Sequence, residues 1–362
     1  QTENFTFDRP FSYFVHVHHN QPLWAKNLDV IPTKILDEVR KGNCKLIFDN
    51  TLEGKSINGD KFLNPFYESI DKLKLPTKNI YFITNNLVAE KTHQEYHRAD
   101  KINVISVMWN VFDIQRLIDQ EDLPNEVSVD MEYKYKSVNI FKTKHFLKIN
   151  RTNRNERDIF LLFLNFEKLL DKCLVSFPEL HKWPEYPEMF YKYIQKENIN
   201  DLKTKLPFDI DETDETNHGP AGVGGGFFDA DLAFNPIHYR NSFISIVMGA
   251  FAFDKDGYHL HSSTFNPMYC GHPIIQFAPY KTLEVMKQYG FKTFDKWWDE
   301  SYDNEKDDWK RLQMIMDLVL EISEYDKKDL LHMYEDMKET LQHNISVLEN
   351  YDIKTNLYDR IF

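Results

Sequence analysis

A chain of 362 residues, 42% hydrophobic and 15% aromatic, can bury one large core or two medium ones, which excludes a disordered chain and a minimal disulfide-stapled domain. Its 44 basic and 57 acidic residues leave a formal net charge of −13, a sign that repels phosphate backbones and anionic lipid, so no nucleic-acid partner is expected without a local basic patch. Cys44, Cys173 and Cys270 stand far apart without CxxC spacing, which gives neither a disulfide framework nor a thiolate zinc site and fits a reducing, cytoplasmic compartment. No apolar run approaches the ~20 residues of a membrane helix and residues 1–10 are too polar for a signal-peptide core, so no membrane span is expected.

Along the first 145 residues, β-branched and aromatic runs predict strands at 13–17, 45–49, 79–84 and 102–108, with amphipathic helices at 34–41, 66–73 and 88–96. Strands alternating with helices imply βαβ units and a parallel sheet, whose strands open at their C-terminal ends into polar residues, among them Asp49, Asn50, Thr51 and Glu53, and Thr84 to Asn86. From about residue 142 the pattern restarts, with a strand at 145–149, a basic loop at 150–157 and an apolar helix at 159–170. Residues 178–226 read as a long insertion loop. Strands at 242–248 and 273–277 follow, with helices at 280–289, 308–325 and 327–351. The expected organisation is an α/β chain of two Rossmann-like domains, 1–141 and 142–326, with 327–362 packing back across the boundary.

Several clusters carry candidate chemistry. Arg151, Arg154 and Arg157 precede a predicted helix, and guanidinium forks beside free helix amides suit a pyrophosphate; a solvated charged turn is the alternative. Ser262, Ser263, Thr264 and Asn266 at a second helix start offer hydroxyls and amides to an anion, although a plain capped helix explains them too. His16 and His18 share a strand face and, joined by His259 and His261, offer a site for zinc or another divalent metal, with hydrogen-bonded strand histidines as the alternative; separately, Asp229 and Asp231 form an Asp-x-Asp, an arrangement that can hold a divalent ion on a diphosphate but is frequent by chance. Trp297, Trp298 and Tyr302 can stack on a sugar or fill a core.

The basic Asn-Arg loop, the Thr264-Phe265-Asn266-Pro267 helix start, the Gly271-His272-Pro273 turn and the stretch from Gly290-Phe291-Lys292-Thr293-Phe294 to Trp298-Asp299-Glu300-Ser301-Tyr302-Asp303 together resemble one family. It is that of the glycosyltransferase-like proteins of tailed phages and large algal viruses, distantly similar to α-1,3-fucosyltransferases. The resemblance is loose over 30–320 and good over 142–303. It implies the GT-B arrangement of two facing nucleotide-binding-like domains, with a nucleotide sugar as co-substrate held mainly by the C-terminal one and no metal required. Where the family has Thr-Glu-Lys this chain has His261-Ser262-Ser263, and Met248-Gly249-Ala250 stands where a strand-end glutamate is expected. The expected function is sugar transfer from a nucleotide sugar to a glycan or other hydroxyl acceptor. Arg151, Arg154, Arg157, Ser262, Ser263, Thr264 and Asn266 would bind the donor and Glu53 would be the base. The alternatives are a degenerate glycosyltransferase fold used for binding or assembly, and a divalent-metal enzyme built on the histidines and Asp229/Asp231.

Overall fold

A computed structural model describes residues 9–17, 28, 30–51, 54, 56–57, 59–111, 143–149, 154–180, 186–208, 236–249, 252–253 and 257–362. The chain divides into two compact units, one made of Gln1–Trp109, Asp254–Leu260 and Asp352–Phe362, the other of Asn110–Phe253 and His261–Tyr351. The expected boundary at 141/142 lies outside the described residues. Each unit is α/β, built on a parallel four-stranded sheet with flanking helices.

In the first unit, strands β1 (Phe11–His16), β2 (Cys44–Asn50), β3 (Ile80–Thr84) and β4 (Asn103–Ser106) pair in chain order, all parallel. Helices α1 (Thr33–Lys41), α2 (Asn64–Lys72) and α3 (Ala89–Glu95) make the crossovers. Helix α1 buries Ile35, Leu36 and Val39, the one stripe its spacing allows, and stops at Gly42, whose φ of 84° an L side chain rarely adopts. The core is aromatic: Phe48 of β2 meets Phe66 of α2 edge to face at 5.0 Å, and Phe62 meets Phe82 of β3 at 4.9 Å. Each such buried ring contributes roughly 1.5–3 kcal/mol by burial.

In the second unit, β5 (Lys144–Ile149), α4 (Asn155–Phe166), β6 (Cys173–Ser176), α5 (Lys196–Lys205), α6 (Pro236–Arg240), β7 (Ser242–Met248), α7 (Ser262–Tyr269), β8 (Ile274–Phe277), α8 (Thr282–Gln288), α9 (Asp308–Ser323) and α10 (Lys327–Glu349) follow in that order. The sheet order is β6-β5-β7-β8, all parallel. Every residue of β7 is buried, as a central strand covered on both faces requires. The register puts Lys148, Met248 and the α4 residue Phe160 on one face, and Gln276, bonded to Thr264 of α7, on the other. Helix α10 is started by Asp326, whose carboxylate accepts from the amides of Lys328 and Asp329, a cap that contributes about 1 kcal/mol.

Three expectations are corrected here. The basic loop does not run to residue 157: α4 begins at Asn155, so Arg157 lies in its first turn. The reason is local, since Glu156 and Asp158 set two acidic residues against the positive end of the helix dipole. The predicted insertion at 178–226 contains α5, which buries a single leucine, Leu202, and therefore carries almost no amphipathic signal. Strand β6 has no predicted counterpart, being only four residues long. A short helix, α11 (Asp359–Ile361), ends the chain within the first unit, where Arg360 meets Glu90 at 2.7 Å. No described helix is long and apolar enough to cross a membrane.

Candidate functional site

The strand order of the second unit defines a place for a ligand. From β5 the chain moves outward to β6, then returns to lay β7 on the other side of β5. The connections leaving β5 and β7 therefore diverge, and in open α/β sheets the crevice beyond such a reversal, at the carboxyl ends of the strands, takes the ligand. The strands of the first unit pair in simple chain order, so its described sheet contains no reversal.

Four side chains build the β5/β7 crevice. Arg154, extended at φ −151° and ψ 155°, is the last residue before α4 and is half-buried. Arg157 turns inward and donates from Nη2 to the Met248 carbonyl at 2.8 Å, tying the first turn of α4 to the end of β7. Lys148, near the end of β5, is 0% exposed, with its amine 3.0 Å from Met248 Sδ and 5.0 Å from the Phe160 ring centre. Burial drives the Lys148 amine well below the ordinary lysine range, and neighbouring Arg157 adds to that. Burial likewise pulls the Arg157 guanidinium down to about 10 and pushes the Glu156 carboxyl up. Asn155 Oδ1, at the first position of α4, is buried with no hydrogen-bond partner among the described residues. A buried acceptor left unbonded costs about 1–3 kcal/mol, so a donor group from a ligand would be favoured there. The Arg157 and Asp158 amides already donate to the Arg154 carbonyl, so the crevice presents the first amides of α4, the half-buried Arg154 and the buried Asn155 acceptor, a set suited to an anion with hydroxyls beside it.

The α7 start behaves differently. His261 is its N-cap, with Ser262 Oγ 2.8 Å from His261 Nδ1 and the Ser263 amide at 3.5 Å. Ser263 is exposed and Ser262 half-buried, but Thr264 and Asn266 are buried, Thr264 receiving Gln276 Nε2 at 3.3 Å. Of the four expected donor contacts on this helix, only the two serines face outward enough to meet a ligand.

The stretch 290–303, the most specific part of the resemblance, supports the fold. Asp303 caps α8 through the amides of Leu283 and Glu284, at 3.0 and 3.3 Å. Glu300 accepts from the Phe294 amide at 2.8 Å, and burial pushes its carboxyl up to about 7. Asn344 of α10 clamps both the N–H and the C=O of Lys292, at 2.8 and 2.9 Å. Trp298 and Tyr302 are core residues, while Trp297 donates from Nε1 to Asp336 at 2.7 Å. The Gly-His-Pro turn is internal as well: His272 holds Ser245 Oγ and the Ser242 carbonyl, each at 2.8 Å.

In the first unit a row of polar side chains lines the carboxyl edge of the sheet. Asn50 Nδ2 reaches Thr84 Oγ1 at 3.4 Å, the Asn86 amide donates to the same hydroxyl at 3.1 Å, and Asn85 Nδ2 lies 2.9 Å from His259 Nε2. Gly54 packs against that histidine so closely that an added Cβ would stand 2.2 Å from His259 Cβ, which explains a glycine there. Asp49 accepts from the Thr51 amide and hydroxyl at 3.1 and 2.8 Å, and its other oxygen lies 3.2 Å from His16 Nδ1.

Glu53, Arg151, His18, Asp229 and Asp231 lie outside the described residues. His16 pairs with Asp49, His259 with Asn85, and His261 caps α7. Among the described residues no group of three or more His, Cys, Asp or Glu side chains is placed to hold a metal ion. Sequence reasoning missed Lys148, whose signal was a lone cation at an interior position of an apolar strand, and the His16–Asp49 pair, which depends on strand register.

No family model matches the chain, and no curated protein matches it. Among solved structures it is similar to the N-terminal domain of trehalose-6-phosphate phosphatase from Candida albicans, at 10% identity and a TM-score of 0.41, over 96% of this chain and 70% of that one. A likeness of that size carries no weight for activity. What the strands and helices themselves define is an α/β protein with two parallel sheets, one of which has the strand reversal of nucleotide-binding folds.

Proposed function

We propose that the chain is a glycosyltransferase of the GT-B type, moving a sugar from a nucleotide-sugar donor to the hydroxyl of a glycan or other acceptor. The observation that carries this reading is the reversal between β5 and β7, which sets the start of α4 and Arg154 at the crevice where such sheets take a phosphorylated ligand. The donor's diphosphate would lie against Arg154 and the α4 amides, with Asn155 Oδ1 accepting from a ribose or sugar hydroxyl and Ser262 and Ser263 adding outward-facing hydroxyls. No metal is required by this set.

A second reading, a glycosyltransferase fold kept for binding or assembly, is favoured by one feature of the same crevice. The Arg157 guanidinium is committed to the Met248 carbonyl, and two buried acids, Glu156 and Asp158, share the turn that would meet the phosphates. Crystals soaked with UDP-glucose, GDP-fucose and GDP-mannose separate the two. The glycosyltransferase reading expects diphosphate density within hydrogen-bond distance of Arg154 and the α4 amides for at least one of them. Empty crevices with all three would sink it in favour of the second.

A further inference from the structure

We propose that the 290–303 loop is a proton-operated latch on the carboxyl edge of the second unit's sheet, closed while the Glu300 carboxyl is protonated and loosened when it ionises. The device lies wholly within that unit, uses a buried acid that the proposed chemistry does not employ, and stands whether or not the chain transfers sugars.

Ties to neighbouring elements hold the loop along its length. At its start, Asn344 of α10 holds the amide and the carbonyl of Lys292, and His343 Nε2 lies 2.8 Å from the Gly290 carbonyl. In the middle, Glu300 Oε1 takes the Phe294 amide at 2.8 Å and closes the loop on itself. At its end, the Asp303 carboxylate takes the amides of Leu283 and Glu284 in the first turn of α8, and the Asp303 carbonyl takes the Lys281 amide at 2.8 Å. Lys281 follows closely on the end of β8 at Phe277, so this last tie reaches the carboxyl edge, where open α/β sheets meet their ligands. Lys281 keeps a φ of 64°, which a lysine holds only when its surroundings impose it, so releasing Asp303 frees the backbone that leaves β8.

The middle tie is the one a proton controls. Glu300 is 9% exposed and meets the Phe294 amide and the Thr293 hydroxyl, with no cation bonded to it among the described residues. Of the charged groups that face it, Asp295 of the same loop opposes ionisation, and Lys287 of α8 is bonded to Asp295 at 2.8 Å. Asp299 and Asp303 share with Glu300 the surroundings of the fully buried Tyr302, while on α10 Asp336 is taken by Lys296 and Trp297. A buried carboxylate without a paired cation is costly, and burial accordingly pushes the Glu300 carboxyl up to about 7. Once ionised, it regains hydration only by opening the loop. Lys292, Asp295, Lys296, Asp299 and Ser301 already face solvent, as in segments that open below the free energy of global unfolding.

Hydrogen exchange across pH on the full chain tests the latch. A loop that opens by itself leaves the Phe294, Leu283 and Glu284 amides about 10-fold or more below those of β7 in protection. Between about 4.5 and about 7 the closed loop holds a proton that the open loop has released, so opening becomes easier as pH rises. Protection of these amides is therefore expected to fall about tenfold per pH unit over that range, roughly 300-fold in all, and then to level off. In Glu300→Gln, which keeps an oxygen for the Phe294 amide and never ionises, protection should stay flat. Loop amides exchanging no faster than those of β7 would show that the loop opens only with the whole unit. A wild-type profile without the fall, or the same fall in Glu300→Gln, would show that Glu300 does not operate it. Each of these three results overturns the proposal, and the wild-type profile is decisive without any variant.

Discussion

Wild-type protein is expected to lose on the order of 3 kcal/mol of stability as pH rises from about 4.5 to about 7, and Glu300→Gln to lose none of that share. The Glu300 carboxyl is buried in the 290–303 loop, and desolvation holds its folded titration near 7, against an ordinary value of 4.5, despite the amide of Phe294 that pulls the other way. Between those two values the folded chain keeps a proton that the unfolded chain has released. The unfolded state binds fewer protons there, so stability falls as pH rises, being fully present below about 4.5 and lost above about 7. A glutamine keeps an oxygen for the Phe294 amide and never ionises. The variant should therefore match the wild type near pH 4 and exceed it at pH 8 by roughly 2–3 kcal/mol in urea unfolding. Parallel stability profiles for the two proteins would show that Glu300 does not carry this proton.

Lys148→Met is expected to stabilise the chain at pH 7 by roughly 1–4 kcal/mol, the range seen when buried ionic groups give way to apolar residues of similar volume. The wild-type amine sits in the core against Met248 and Phe160, facing Arg157, Glu156 and Asp158 from α4 and Cys173 from β6. Burial depresses its folded titration well below 10.5, so in the window between the two values the unfolded chain binds a proton that the folded chain does not. Stability therefore rises with pH through that window and is fully regained above 10.5, opposite in sign to Glu300. Methionine removes the slope. A variant less stable than the wild type at pH 7, with the slope intact, would contradict the account. If the stabilised variant binds nucleoside diphosphates as the wild type does, Lys148 is a packing residue; weaker binding would identify it as a charge the crevice retains at the expense of stability.

Much of the fold was legible because local signals agreed with tertiary demand. The β-branched and aromatic runs of β2, β3 and β7 are largely buried strands. The misses have physical causes. Four-residue β6 is too short to show a period, and α5 buries only Leu202. Arg157 reads as part of a charged loop, although Glu156 and Asp158 beside it are the acidic first turn of a helix. The site was less legible than the fold because its pairings are non-local. His16 and Asp49 are joined by sheet register, and Asn85 and His259 stand 174 residues apart. The 290–303 motif was the loudest sequence signal, and its carboxylates turn out to cap α8 and a loop amide.

Whether the crevice between β5 and β7 binds an anion is answered by calorimetric titration of the folded chain with UDP and GDP, beside Arg154→Ala. Saturable binding of at least one is expected, weakened roughly 10- to 100-fold by the substitution, as the loss of one charge-assisted hydrogen bond implies. Absence of binding to either nucleotide, or binding indifferent to Arg154, would contradict it.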